Sequence, residues 1–371
     1  MNRLKKRFVF ATLAFLSLFF GGTHIYAEYA AQNCAPQAAP ISGTPETETR
    51  IKKSISIIQI VEHPALNATR QGILDELASL GWKVNDYLMV SYDSAQGNAA
   101  LAVQIAQKYV SQNPDLIVAL GTTAAQSLVK PTKDKPIPVV FASITDPVGA
   151  KLVHGLAHTQ TNFTGTSNFI ALEPQLEFYK AIVPHLKNLG IIYNAGEVNS
   201  IRLVAEYQKI APLYGVHIQT MTVNRSGDVK QAASSLIGKV DAFLITNDNT
   251  ALSAIPAIVA VGMHAHLPVF ASDTDTLSSG VTAALGPNQY TLGLQTGKMI
   301  DKILRGAKVD EVPVEFPQKI EIHLNKSAAE KIGIRFSEAL QKKALQSQKP
   351  DTPKHQTADT PTSKNPGKPC S

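Results

Sequence analysis

The chain has few cysteines. Only Cys34 and Cys370 occur in 371 residues, and both stand in the terminal flanks. Neither can act as a nucleophile in a packed site. In an oxidising compartment they could pair with each other, pair between chains, or stay free. Long apolar runs are missing as well. Residues 8–20 are apolar, but a spanning helix needs about 20 such residues. Arg3, Lys5, Lys6 and Arg7 precede the run and Ile25-Tyr26-Ala27 follows it, so residues 1–27 read as a secretory signal peptide, with an uncleaved anchor as the alternative. A periplasmic mature protein is expected. No Leu-x-x-Cys setting follows the run, which argues against a lipid anchor. Basic charge is scarce outside the ends. The net charge of +6 comes from the four basic residues of the leader and from lysines after residue 341, and the body between is nearly neutral. Nothing in that balance calls for nucleic acid or an anionic membrane surface as a partner.

Catalytic signatures are also lacking. There is no Gly-x-Ser-x-Gly elbow. Gly121-Thr122-Thr123 is not followed by Gly-Lys-Ser/Thr, so it is not a P-loop. His264-x-His266 is too close to share a helix face, and His154 with His158 lacks a third metal ligand. Asp273-x-Asp275 lacks the Gly and Glu of a calcium loop. No enzyme activity, metal or cofactor is expected.

What the chain does contain is a repeat. Residues 137–146 read IPVVFASITD and 267–275 read LPVFASDTD. Upstream of each, 115–128 read DLIVALGTTAAQSL and 241–254 read DAFLITNDNTALSA. A fainter echo relates 56–67, SIIQIVEHPALN, to 189–200, LGIIYNAGEVNS. Order and offset are kept, so the simplest account is two lobes of one design facing each other across a cleft.

From residue 54 onward, strand and helix patterns alternate. Residues 54–61 form a continuous apolar strand of the kind buried on both faces of a parallel sheet, and Pro64 opens a helix. The spacing predicts a second strand over 82–91, a strand at 280–285 and a helix at 288–304. The fold class is α/β, with two Rossmann-like, doubly wound parallel-sheet lobes joined by a multi-strand hinge. The expected organisation is a signal peptide at 1–27 and a flexible segment at 28–53. Lobe 1 takes 54–166 plus 280–315, and lobe 2 takes 167–279 plus 316–340. A Pro/Thr/Lys-rich tail at 341–371 is expected to be disordered. Crossings between lobes are expected near 165–170, 275–282 and 315–321.

Ligands of open α/β sheets bind beyond the carboxyl ends of the strands. Thr122 and Thr123 end a strand and open a helix, where unpaired N–H groups favour an anion such as a carboxylate. Asp146, Asp248 and Asp273 recur at strand ends in both halves and would balance an ammonium group. Turn and N-cap roles are the alternative for each. Together they describe a site for a zwitterion such as a free amino acid. Phe141, Phe163, Phe169 or Tyr193 could stack on an aromatic side chain, or serve the core.

Six segments carry a family resemblance: VEHPALNATRQG, DLIVALGTTAAQ, PVVFASITDPVGAKLV, ITNDN, PVFASDTDT and AALGPNQYTLGLQTGKMIDKILRG. Over residues 54–333 the chain resembles the substrate-binding proteins of a bacterial ABC importer family that take tryptophan, tyrosine or phenylalanine. The resemblance implies a type I periplasmic-binding-protein fold, an amino acid ligand, and an ABC permease with its ATPase as partners. Matched position by position, its candidate ligand residues are Glu62, Gln96, Thr122, Thr123, Asp146, Asp248, Asn249 and Asp273. Family members often carry Thr-Asp-Asn where this chain has Thr246-Asn247-Asp248-Asn249. A ligand-sensing module reporting to a membrane receptor is the alternative function.

Overall fold

A computed structural model describes residues 52–349. The expected signal peptide, both cysteines and the tail beyond 349 lie outside the described residues.

The first lobe holds a five-stranded parallel sheet in the order β2-β1-β3-β4-β5. Its strands are β1 (Lys53–Gln59), β2 (Leu88–Ser94), β3 (Leu116–Leu120), β4 (Val139–Ile144) and β5 (Phe163–Ser167). Every residue of β3, β4 and β5 is buried, because helices cover both faces of the sheet. The helices are α1 (Pro64–Ser79), α2 (Ala99–Gln112) and α3 (Thr122–Val129). Pro64 is tolerated in the first turn of α1, where no N–H is needed. Asn98 caps α2 through its side-chain oxygen.

The second lobe begins with α4 (Glu173–Ile182), β6 (Asn188–Tyr193), α5 (Val198–Ile210), β7 (His217–Thr222) and α6 (Val229–Ser235). It continues through β8 (Ala242–Ile245), α7 (Asn249–Leu252), α8 (Ile255–His264), β9 (Val269–Ala271) and β10 (Ala283–Gly286). After α9 (Gln289–Leu304) come β11 (Glu321–Leu324), α10 (Lys326–Lys331) and α11 (Glu338–Ser347). The sheet order is β11-β10-β9-β8-β6-β7, parallel except for the β10–β11 pair. The repeat seen in sequence is a repeat of joints. The Asp115 carboxylate accepts the Ser54 N–H at 2.8 Å, tying β3 to β1. The Asp241 carboxylate accepts the Lys187 and Asn188 N–H groups at 2.8 and 2.7 Å, tying β8 to β6.

Three boundaries differ from expectation. The second strand starts at Leu88 rather than 82, because Asn85 turns the chain in a left-handed conformation at φ 66° and Trp82 is buried. Residues 283–286 pair with β9 and β11 in the second sheet, so the return to the first lobe starts at Gln289, not at 280. Residues 341–347 continue α11, with Leu340 and Ala344 buried against the second core, so the expected tail does not begin at 341.

After that return, α9 lies against α1 and its Met299 and Ile300 join the first core. The two helices approach through glycines. A Cβ on Gly72 would meet the Tyr290 carbonyl oxygen at 2.2 Å, and one on Gly293 the Thr69 carbonyl oxygen at 2.3 Å. The chain then runs through Val314 in the first core to Ile322 in the second. Glu315 bridges to Thr166, with backbone bonds to Gly165 and Ser167.

Candidate functional site

The carboxyl ends of both sheets face one another, and a small cavity of about 10 Å³, room for about one water molecule, lies between them. The first lobe contributes His63, Thr122 and Ser143, and the second contributes Asn199, Asn247 and Asp273. Asn168, just after β5, and Gln289, the first residue of α9, close it at the crossings. No Lys or Arg lines it.

The cavity is polar and its polar atoms are not all used. Asn168 Oδ1, Asn199 Oδ1 and Asn247 Nδ2 are buried without a hydrogen-bond partner, as is Thr246 Oγ1 beside them. A buried polar atom left unpaired costs about 1–3 kcal/mol. Three on the wall of one cavity therefore mark a place built for something polar. Asp273 is 1% exposed and has one side-chain donor among the described residues, Gln289 Nε2 at 2.5 Å to Oδ1. Burial pushes its carboxyl up to about 7 against the pull of that bond, and the Asp275 carboxylate pushes the same way. A buried carboxylate this poorly compensated favours a cation beside it.

The expected residues separate in the structure. Thr122 is buried and on the cavity wall, at the start of a helix whose first turn has no side-chain cap. Thr123, Gln96 and Asn249 line the outer cleft, and Asn249 reaches the cavity too. Asp273 is on the cavity. Asp146 lies at one side, in a groove also lined by Thr122, Ala150, Val198, Asn199 and Ile201. It accepts the Gly149 N–H and faces Arg202 of the other lobe at 3.5 Å. That ion pair is exposed enough to contribute only about 0–1 kcal/mol. Glu62 is exposed and bonded to the Tyr92 hydroxyl at 2.8 Å, away from the cavity. Phe141 and Phe163 are buried in the first core, while Phe169 and Tyr193 pack on the second. None of the four lines the cavity.

Asp248 is fully committed inside its own lobe. Oδ1 accepts the Ala251 N–H at 2.7 Å as the cap of α7, and Oδ2 accepts the Asn194 N–H and the Ser200 hydroxyl. Burial and the neighbouring Glu197 carboxylate raise its pKa. Asp248→Ala should therefore cost about 1–2 kcal/mol of stability, the lost cap exceeding the relieved repulsion. A denaturant titration should show the lower midpoint, with ligand preference unchanged.

Asn249 joins the lobes. His63 Nδ1 accepts the Leu66 N–H, so Nε2 carries the proton toward Asn249 Oδ1 at 3.3 Å. Burial lowers the His63 pKa to about 4, so the ring is neutral. The Asn249 amide nitrogen donates to Glu197 Oε2 at 2.6 Å. Glu197 also accepts the Asn249 and Thr250 N–H groups, so α7 already holds an anion from its own lobe. Its repeat partner α3 has no side-chain cap among the described residues. The duplicated turn is structural in one lobe and open in the other.

Asn168, Asn199, Asn247, Ser143 and Gln289 were not singled out from sequence. Asn247 lies beside the motif residue Asp248, which is the one local signal. An amide gains meaning here only by lacking a partner.

The chain matches the family model described as ABC transporter substrate binding protein over residues 54–348. It is 34% identical over 280 residues to the tyrosine-binding protein of Clostridioides difficile (strain R20291), covering 76% of this chain and 81% of that one. An ABC domain from Streptococcus pneumoniae in complex with L-Trp superposes with a TM-score of 0.75 at 33% identity, over 79% of this chain and 98% of that one. The ligand-free, open structure of a substrate binding protein with adhesive properties from Clostridium difficile gives 0.59 at 34% identity, over 77% and 96%.

Proposed function

The chain belongs to the ABC transporter substrate binding protein family, and from that premise we propose that it captures a free aromatic amino acid between its lobes in the periplasm and delivers it to an ABC permease and its ATPase. The observation that carries this reading is the convergence of Asp273 with three unpartnered amide atoms on one interlobe cavity. The ammonium group sits against Asp273, with the carbonyl oxygens of Asn168 and Asn199 taking its remaining protons. The carboxylate takes Asn247 Nδ2, the Thr122 hydroxyl and the uncapped N–H groups of α3, whose dipole favours negative charge. The side chain runs into the adjoining groove, which shares Thr122 and Asn199 with the cavity and offers Ala150, Val198 and Ile201 as an apolar wall.

Closure brings the two halves of this grip together, and His63–Asn249, Asp146–Arg202 and Gln289–Asp273 are the contacts made across it. The higher similarity to the L-Trp complex than to the open structure, at nearly equal identity, supports a closed arrangement of the lobes here. Among the described residues no helix is long and apolar enough to cross a membrane. The basic, apolar and small-residue leader at 1–27 supports export.

Calorimetric titration of the mature protein with each of the twenty amino acids tests the reading. Heat and a raised thermal midpoint are expected with tyrosine, tryptophan or phenylalanine. Absence of both with all twenty would overturn it.

A further inference from the structure

We propose that Gln289 is a positioning residue for the ligand: anchored by hydroxyls of the first lobe, its amide fixes the Asp273 carboxylate of the second so that one oxygen is left to meet the ammonium group. This rests on the reading that Asp273 receives that group.

Gln289 is 1% exposed and opens α9, the helix that packs on α1. Its Oε1 accepts the Ser143 hydroxyl at 2.7 Å, and the Thr69 hydroxyl lies 3.1 Å from the same atom. Its backbone N–H is held by Asp275 Oδ2 at 2.6 Å. With main chain and carbonyl oxygen fixed, the amide nitrogen has one direction left, and Asp273 Oδ1 stands there. Among the described residues Oδ2 of Asp273 has no donor. An N–H donor stabilises the ionised form of a carboxylate, the form an ammonium group requires.

Ser143 shows that the anchor is built. It sits at the end of β4 in a left-handed conformation, φ 59°, where pairing with β5 shifts register between Phe141 and Ile144. A non-glycine residue in that conformation carries strain. The distortion turns its hydroxyl to Gln289 rather than along the sheet. The other titratable groups around Asp273 do not replace this contact. Asp275 from the same turn repels it, Tyr179 of α4 is neutral, and His63 across the cavity is uncharged.

Binding of L-tyrosine and L-tryptophan should be titrated from about pH 5.5 to 8.5 for wild type, Gln289→Met, and the double variant Ser143→Gly with Thr69→Val. Glycine suits the left-handed position, and valine keeps the shape of threonine, so the double variant leaves Gln289 present but unanchored. For wild type, Kd should rise about tenfold per pH unit below about 7. In Gln289→Met, Kd should rise about 30-fold near neutral pH, with that limb moved up by about one pH unit. The double variant should move it the same way by less. A loss of affinity equal at every pH, or none, would show a structural role only and overturn the proposal. Should Gln289→Met fail to fold, the double variant decides. Wild type binding no amino acid would sink the proposed function itself. Wild type binding with unmoved variants would sink only the role of Gln289.

Discussion

Asp273→Asn should weaken binding of the amino acid by about 100-fold or more, while leaving the empty protein at least as stable as wild type at neutral pH and above. Removing one partner of a desolvated ion pair costs about 2–5 kcal/mol of affinity, because the ammonium group is then buried without its counter-charge. Calorimetry should show the loss as a raised Kd for tyrosine and tryptophan together, since both share the backbone groups. The empty protein behaves in the opposite sense. Burial raises the Asp273 carboxyl from 3.8 to about 7. A carboxyl raised on folding contributes stability that is present below the unfolded value and lost as pH rises through the folded one. Wild type should therefore lose stability between about pH 4 and 7, by up to about 4 kcal/mol. The amide that replaces the carboxyl does not titrate, so the variant should lack that slope. Thermal midpoints at about pH 4 and pH 8 separate the two chains: near coincidence at the lower value, and a more stable variant at the higher. A variant that binds like wild type would remove Asp273 from the site.

Gly293→Val should be strongly damaging although it lies outside the cavity. The α1–α9 contact is backbone against backbone, with the Gly293 Cβ position 2.3 Å from the Thr69 carbonyl oxygen and 3.0 Å from the Gly72 Cα. Neither neighbour is a flexible side chain that can step aside. Valine forces the helices apart at a cost of about 3 kcal/mol or more. For a folded body of about 300 residues that lowers the melting temperature by about 5 °C or more. Thr69 and Gln289 ride on these two helices, so affinity should fall with stability. Gly227→Ala is the control. Its Cβ would meet no atom within 4 Å, and the change should stay within about 0.5 kcal/mol. A melting temperature for Gly293→Val within two degrees or so of wild type would show that the close approach is not required.

Much of the architecture is legible along the chain because the signals are local. The runs LIVAL and VVFASI can only be strands covered on both faces, and Asn98, Asn288 and Asn325 each cap the helix that follows. The misplaced boundaries have local competitors. The turn at Asn85 shortened the second strand, and the strand expected at 280–285 forms at 283–286 because its partners β9 and β11 are fixed only by the fold.

The site is legible in part. Thr122 and Asp273 stand on the cavity, whereas Asp248 and Glu62 have the same sequence credentials and face elsewhere. Aspartates at strand ends look alike in sequence. What separates them is whether nearby N–H groups use up their oxygens, as at Asp248, or leave one free, as at Asp273.

The sequence by itself determined two repeated α/β lobes, the absence of catalytic and metal motifs, and the polar character of the strand-end loops. Those follow from periodicity, residue type and short spacing. Only the tertiary structure decided which copy of each repeated loop faces the cleft. In the second lobe Glu197 satisfies the turn that the first lobe leaves open, and Gln289 reaches Asp273 only because α9 returns to the first lobe. Hydrogen-bond satisfaction depends on partners 16 to 220 residues away, and no local pattern records whether a polar atom has found one.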